Sequence, residues 1–307
     1  MRVQFYHAIA LGALLTASCG GATPTPAGAP PPTSTAASGA PVTRPGTDAA
    51  PTNTPASDTA SPTAAAIARG REIIELVRTA AGGAKLTAMR GVRATGTSSM
   101  SVVAGDRALS VRALFPGFYR QEEIPAAKGG LGVAIGVQGE GLGWMLGARL
   151  GGAGLSKDPA VMQATYNRAG NQALVGFLAG VSAPWLVDTT QYTPVSAGLV
   201  DAGDDRGLYI VSLEGPLGRA GQLLVDPGTN LPRRFIEPPQ PNAGGEAGRN
   251  PIEFTYSDFK AVYGVELPHT IVRRVGPIVT TWHIDQYEIN PRLQPRDFTQ
   301  RTASKAR

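Results

Sequence analysis

Residues Gly20 to Ala64 constrain the fold more than any other part of the chain, because they cannot join a core. They hold ten prolines and ten threonines, and no aromatic residue. Such a stretch buries too little apolar surface to offset the entropy of ordering its backbone, so it reads as a disordered linker. Proline favours extended conformations, and about 45 residues of this kind reach between roughly 40 Å as a coil and roughly 140 Å as a rod. Every aromatic residue except Phe5 and Tyr6 lies beyond the linker. The remainder, 65–307, is therefore the part expected to fold, and it is long enough for one good-sized domain.

Ahead of the linker, Met1-Arg2 gives a short basic start, and Val3 to Leu15 gives an apolar run interrupted by little more than Gln4 and His7. That run is too short to span a bilayer but has the length of a signal-peptide core. Thr16-Ala17-Ser18 then lead into Cys19, the only cysteine of the chain. A lone thiol makes no internal disulfide, and His7, His269 and His283 are the only histidines available to share a metal with it. The arrangement resembles the lipobox of bacterial lipoproteins, with Thr16 standing where leucine is usual. That resemblance implies that residues 1–18 are removed as a signal peptide and that Cys19 is acylated. The protein would then be held on a membrane by acyl chains, without a spanning helix. Gly20 stands where an aspartate accompanies inner-membrane retention, so the resemblance implies the periplasmic side of the outer membrane in a diderm bacterium.

The chain carries a net charge of +5. Arg2, Arg44, Asp48 and Asp58 cancel one another, so the whole excess belongs to 65–307. Its basic residues are scattered, with Arg233-Arg234 and Arg273-Arg274 the only adjacent pairs, and they form no stripe of the kind that tracks nucleic acid. No nucleic-acid partner is expected.

The domain opens on a helical pattern, with Ile67, Ile74, Val77 and Ala81 near helical spacing and the pair Gly82-Gly83 as its stop. A short helical piece, Ala84 to Met89, follows. From Val92 the period shifts toward two. Leu109, Val111, Ala113 and Phe115 share a face, as do Tyr209, Val211 and Leu213, and Ile252, Phe254 and Tyr256. Asp226-Pro-Gly-Thr229 separates two such segments as a turn. A second helix is expected to begin at Pro159 behind Asp158 and to stop near Gly180. Helix, strands, helix, strands is the pattern of an α+β fold with a large antiparallel sheet.

Five segments in this order resemble one group: "LFPGFYRQE" (Leu114 to Glu122), "GEGLGW" (Gly139 to Trp144), "LLVDPGTNLPRRF" (Leu223 to Phe235), "FTYSDFKAVYGVELPHTIV" (Phe254 to Val272) and "YEINPRLQPRDF" (Tyr287 to Phe298). They are similar to the LolA/LolB-like superfamily of lipoprotein carriers and receptors, especially its outer membrane lipoprotein-sorting protein-like members. The resemblance covers most of 65–298. It implies a curved antiparallel sheet, a half-open barrel, with helices on its concave side and an apolar cavity that takes acyl chains of a lipid or lipoprotein. The long linker departs from both carrier and receptor. Glycine is plentiful enough to bend such a sheet, with 33 of the 39 glycines in 65–307. Within the matched pieces, Pro116-Gly117 and Tyr263-Gly264 read as turns, and Pro268, which has no N–H to donate, marks a bulge or an edge.

Catalytic signatures are absent. There is no G-x-S-x-G elbow, H-E-x-x-H or P-loop, and the glycine-rich run from Gly129 to Leu155 lacks both G-x-G-x-x-G before a helix and a G-K-[ST] ending. His269 and His283 fall on neighbouring strands, and Glu122-Glu123, Asp204-Asp205 and Asp285 with Glu288 are explained by solvated strands and turns. No catalytic residue, cofactor or metal site is expected. The large apolar residues nominated for the cavity are Phe115, Phe118, Trp144, Phe177, Trp185 and Trp282, each also able simply to fill the core. Two functions follow: a lipid-anchored binding protein that shelters acyl chains, or a non-catalytic module that docks another envelope protein.

Overall fold

The computed structural model describes residues 61–126, 132–139, 142–146, 159–189, 192–201, 203–215, 218–239 and 250–300. Cys19, the expected signal peptide 1–18 and nearly all of the expected linker lie outside the described residues, as does the side chain of Trp185.

Helix α1 (Ala64–Ala80) starts where Thr63 Oγ1 accepts a 3.2 Å hydrogen bond from the Ala66 N–H. It stops where Gly82 and Gly83 take φ values of 127° and 55°, conformations open to glycine at little cost. The short α2 (Ala84–Thr87) follows. Five strands come next: β1 (Gly91–Met100), β2 (Val103–Leu114), β3 (Phe118–Pro125), β4 (Val133–Gln138) and β5 (Gly143–Leu146). After α3 (Pro159–Val181) and α4 (Ala183–Thr189) there are seven more. These are β6 (Thr193–Leu199), β7 (Tyr209–Gly215), β8 (Gly218–Val225), β9 (Pro232–Glu237), β10 (Ile252–Val262), β11 (Val265–Val275) and β12 (Ile278–Ile289).

The twelve strands form one antiparallel sheet in the order β5-β4-β3-β2-β1-β12-β11-β10-β9-β8-β7-β6. The first and last strands of the domain therefore meet at its centre, while β5 and β6 are its edges. Helix α3 packs on β3, β4 and β5 near one edge and on β9 and β11 in the other half, so the sheet curves around it. Two helical glycines make this approach possible: a Cβ at Gly176 or Gly180 would fall on the rings of Phe254 and Tyr256 of β10. Tyr256 Oη donates to the Gly176 carbonyl at 2.6 Å in the same contact. Helix α1 covers β6 and β7, and its Ile73, Ile74 and Val77 join the same core. The domain is thus an α+β half-open barrel, with helices on the concave side.

Curvature has a visible source at the centre. Thr95 pairs with Gln286 but Gly96 pairs with Ile284, so Asp285 is an extra residue on β12 and points to solvent. Gly96 lies so close to the His283 carbonyl that no Cβ fits. At the β5 edge, the Gly143 N–H donates to Asn167 Oδ1 at 2.8 Å and its carbonyl accepts from Gln163 Nε2 at 2.9 Å. Both partners belong to α3, which blunts an edge that would otherwise offer free backbone groups to another strand.

The helix expected to begin at Pro159 and stop near Gly180 ends at Val181, and α4 follows, because Pro184 has no N–H with which to continue the ladder. One sequence expectation needs adjusting. Pro268 sits on an interior strand rather than an edge. It lies where the β11–β12 register, which runs from Thr270 to Val275, has stopped, and its carbonyl accepts a 2.6 Å bond from Tyr287 Oη.

Candidate functional site

Strand parity sorts the side chains. Opposed residues share a face, so the pairs Val111↔Gln121, Gln121↔Ile135 and Ile135↔Met145 carry one face across β2 to β5. Met100↔Thr280, Thr280↔Arg273 and Arg273↔Phe254 carry the same face across β1, β12, β11 and β10. Between this face and α3 lies a cavity of about 160 Å³. Its apolar wall includes Ile135, Met145, Phe254 and Trp282, and its polar wall is Arg107, Gln121, Glu123 and Arg273, with Gln172 reaching in from α3.

A ladder of hydrogen bonds joins the core to the polar wall. Tyr119, fully buried, donates from Oη to Gln121 Oε1 at 2.8 Å, and Gln121 Nε2 donates to Glu123 Oε1 at 2.8 Å. Burial holds the Tyr119 phenol protonated, and the nearby Glu123 charge adds to the effect. Beside the cavity, Glu237 is 3 % exposed at the end of β9. Burial pushes its carboxyl up to about 8, against the pull of Arg273, Arg168 and a hydrogen bond from Gln172. Arg273 retains surface where it lines the cavity and is otherwise enclosed, and that enclosure lowers its pKa. The acids near it, Glu237 and Glu123, act through space and make no hydrogen bond to it. Glu237 Oε1 and Trp282 Nε1 are buried without a hydrogen-bond partner among the described residues.

The nominated aromatics separate into two groups. Trp282, 2 % exposed, lines the cavity and lies 6.5 Å from the Phe254 ring. Phe177 of α3 is fully buried against Tyr119, with ring centroids 5.8 Å apart, and Phe115 joins the same core at the end of β2. Phe118 and Trp144 are on the other face. The pairs Arg120↔Gly136 and Gly136↔Trp144 put Trp144 opposite in parity to Ile135 and Met145, so the sheet stands between it and the cavity. Gly136 is required there, because a Cβ would fall on the Trp144 indole.

That outer face is closed by the C-terminal segment. Phe298, at the end of a 3-10 turn over Pro295–Phe298, is fully buried and lies 5.5 Å from the Phe118 ring. Trp144 Nε1 donates to its carbonyl at 2.8 Å. Arg120 lies over the Trp144 ring at 5.0 Å, pairs with Glu122 and donates to the Thr299 carbonyl at 2.8 Å. Glu122, expected on a solvated strand, is thus a buried partner of Arg120.

Sequence reading missed the polar half of the cavity. Arg273, Glu123 and Glu237 are ordinary charged residues in strand segments, and only their parity with Phe254 and Phe235 signals that they face inward. His269 and His283 do not form a site: His269 Nδ1 bonds the Ile284 carbonyl at 2.7 Å, and His283 is exposed. No group of three or more His, Cys, Asp or Glu that would hold a metal occurs among the described residues. No helix among them is long and apolar enough to cross a membrane.

No protein-family model matches the chain, and no curated protein matches it. Solved structures do. The chain is similar to a domain from Vibrio parahaemolyticus described as an outer membrane lipoprotein-sorting protein, with 11 % identity, a TM-score of 0.45, and coverage of 76 % of this chain and 97 % of that one. A DUF1329 family protein from Desulfovibrio piger has 13 % identity and a TM-score of 0.47, covering 76 % and 99 %. A LolA superfamily protein from Nitrosomonas europaea has 14 % identity and a TM-score of 0.41, covering 75 % and 97 %.

Proposed function

We propose that this is a lipid-anchored envelope protein that binds the apolar part of an amphiphile, a lipid or the acyl chain of a lipoprotein, between α3 and the concave face of its sheet. In this reading Cys19 carries the anchor, residues 20–64 are the leash, and the protein stands on the periplasmic side of the outer membrane. Among the nominated aromatics whose side chains are described, Trp282 is the one at the ligand, and a place for Trp185 is not assigned. Phe115 and Phe177 support the cavity from the core, and Phe118 and Trp144 hold the sheet's outer face. Nothing in this role needs a catalytic residue or cofactor.

The observation that carries the reading is the cavity itself, with its wall of Ile135, Met145, Phe254 and Trp282. Burial of hydrocarbon against such a wall is worth about 25 cal/mol per Å². Native mass spectrometry on the full chain, extracted from membranes and freed of detergent, is expected to show co-purifying lipid or uptake of a fluorescent fatty acid. Neither would be seen if the reading were wrong.

The size of the cavity favours the alternative, a module that docks another envelope protein. At about 160 Å³ the cavity is smaller than the roughly 300–1,000 Å³ of most ligand pockets. An engineered cavity of about 150 Å³ admits benzene, so this one takes a short length of chain without rearrangement.

A further inference from the structure

We propose that the cavity recognises the ionised head of an anionic single-chain amphiphile, a carboxylate or a phosphate monoester, through Arg273, Arg107 and the Trp282 indole N–H, with the hydrocarbon along Ile135, Met145 and Phe254. This rests on the binding role proposed above and adds the chemistry of the ligand's polar end.

Three groups of donors line the same space. Arg273 makes no hydrogen bond or ion pair among the described residues, and a guanidinium carries five N–H donors. Arg107 likewise has no acceptor among them. Trp282 Nε1, in a residue 2 % exposed, is buried without an acceptor. The register places them together: Ser98 pairs with both Arg107 and Trp282, and Thr280, two residues from Trp282 on the same face, pairs with Arg273. Ser98 Oγ, buried in that row, also lacks a partner. Trp282 Nε1 and Ser98 Oγ are buried without a partner, a costly arrangement that an acceptor in the cavity would relieve, and the half-buried Arg107 and Arg273 give that acceptor two positive charges to face. Arginine suits that task, because its planar fork binds carboxylate and phosphate through two parallel hydrogen bonds.

The charges around the site leave the donors available. Two arginines on the cavity wall face one carboxylate, Glu123, and Glu123 is already held by Gln121. Glu237 is the other acid near Arg273. Its raised pKa keeps it largely protonated at neutral pH, so it does not neutralise the guanidinium. Arg168, Tyr192 and Tyr256 also face Glu237, and none of these adds negative charge near pH 7. Above about pH 8 Glu237 ionises and competes with a bound anion.

The test is calorimetric titration of the full chain with decanoate, decyl phosphate and decanol at pH 6.5 and 9, with Arg273→Gln and Glu237→Gln beside the wild type. At least one of the two anions is expected to bind at least about ten-fold more tightly than decanol at pH 6.5, and the better one identifies the head group. Arg273→Gln is expected to remove that preference, so that the anions bind no more tightly than decanol. Anion binding weakens at pH 9 in the wild type and does not in Glu237→Gln, a readout that holds even if the arginine variant fails to fold. Equal binding of anions and decanol would overturn the head-group assignment while leaving the apolar cavity in place. Binding of none of the three would overturn both.

Discussion

At the scale of single residues, the most unusual group is Glu237, a carboxyl sealed at the end of β9 among Arg273, Arg168, Gln172 and Tyr256. Its carboxyl moves from 4.5 in the unfolded chain to about 8 in the fold, with burial the leading cause. Across that interval the folded state keeps a proton that the unfolded chain has lost, so stability falls as pH rises through it. The cost is absent below about pH 4.5 and complete above about pH 8. Glu237→Gln cannot ionise and escapes it. Urea unfolding is expected to find the variant more stable than wild type at pH 9 by on the order of a few kcal/mol, with little difference at pH 4.5. The same difference at both pH values would show that Glu237 does not titrate as described.

At the scale of elements, the C-terminal turn and α3 close opposite faces of one sheet. Phe298 is fully buried against Phe118, and its carbonyl holds the Trp144 indole. Phe298→Ala should therefore cost about 3–5 kcal/mol and shift Trp144 emission to the red, while amphiphile binding on the other face persists. An unchanged unfolding midpoint would mean that the segment is not part of the fold. These two faces also mark where sequence reading stops. The α+β class, both long helices and the Gly82-Gly83 stop were legible, because period and caps are local signals. The faces of Phe118 and Trp144 were not. Both sit in strands buried on two sides, where period two no longer separates inside from outside. Only the pairing of Arg120 with Gly136 and of Gly136 with Trp144, with Phe118 two residues from Arg120 on the same strand, tells which side of the sheet they occupy. Arg273 and Glu123 were equally hidden, since a charged residue in a strand reads as solvent-facing until its register is known.

At the scale of the whole molecule, the proposed function requires an anchor, a leash and a binding domain. The anchor is carried by sequence alone, and Cys19→Ser tests it: the variant should move from the membrane to the soluble fraction with its thermal unfolding unchanged. Retention in the membrane fraction would contradict acylation at Cys19. The binding domain makes a separate demand, that its ligand occupy the space between α3 and the sheet. Ala169, on the α3 side of the cavity, allows that demand to be tested by filling the space. Uptake of a fluorescent fatty acid by the full chain carrying Ala169→Phe is the most direct measurement. The account predicts that uptake falls by at least about ten-fold relative to wild type while the unfolding midpoint is preserved, because the added ring occupies volume that the acyl chain needs. Undiminished uptake by a folded Ala169→Phe protein would contradict it, and would place the ligand somewhere other than this cavity.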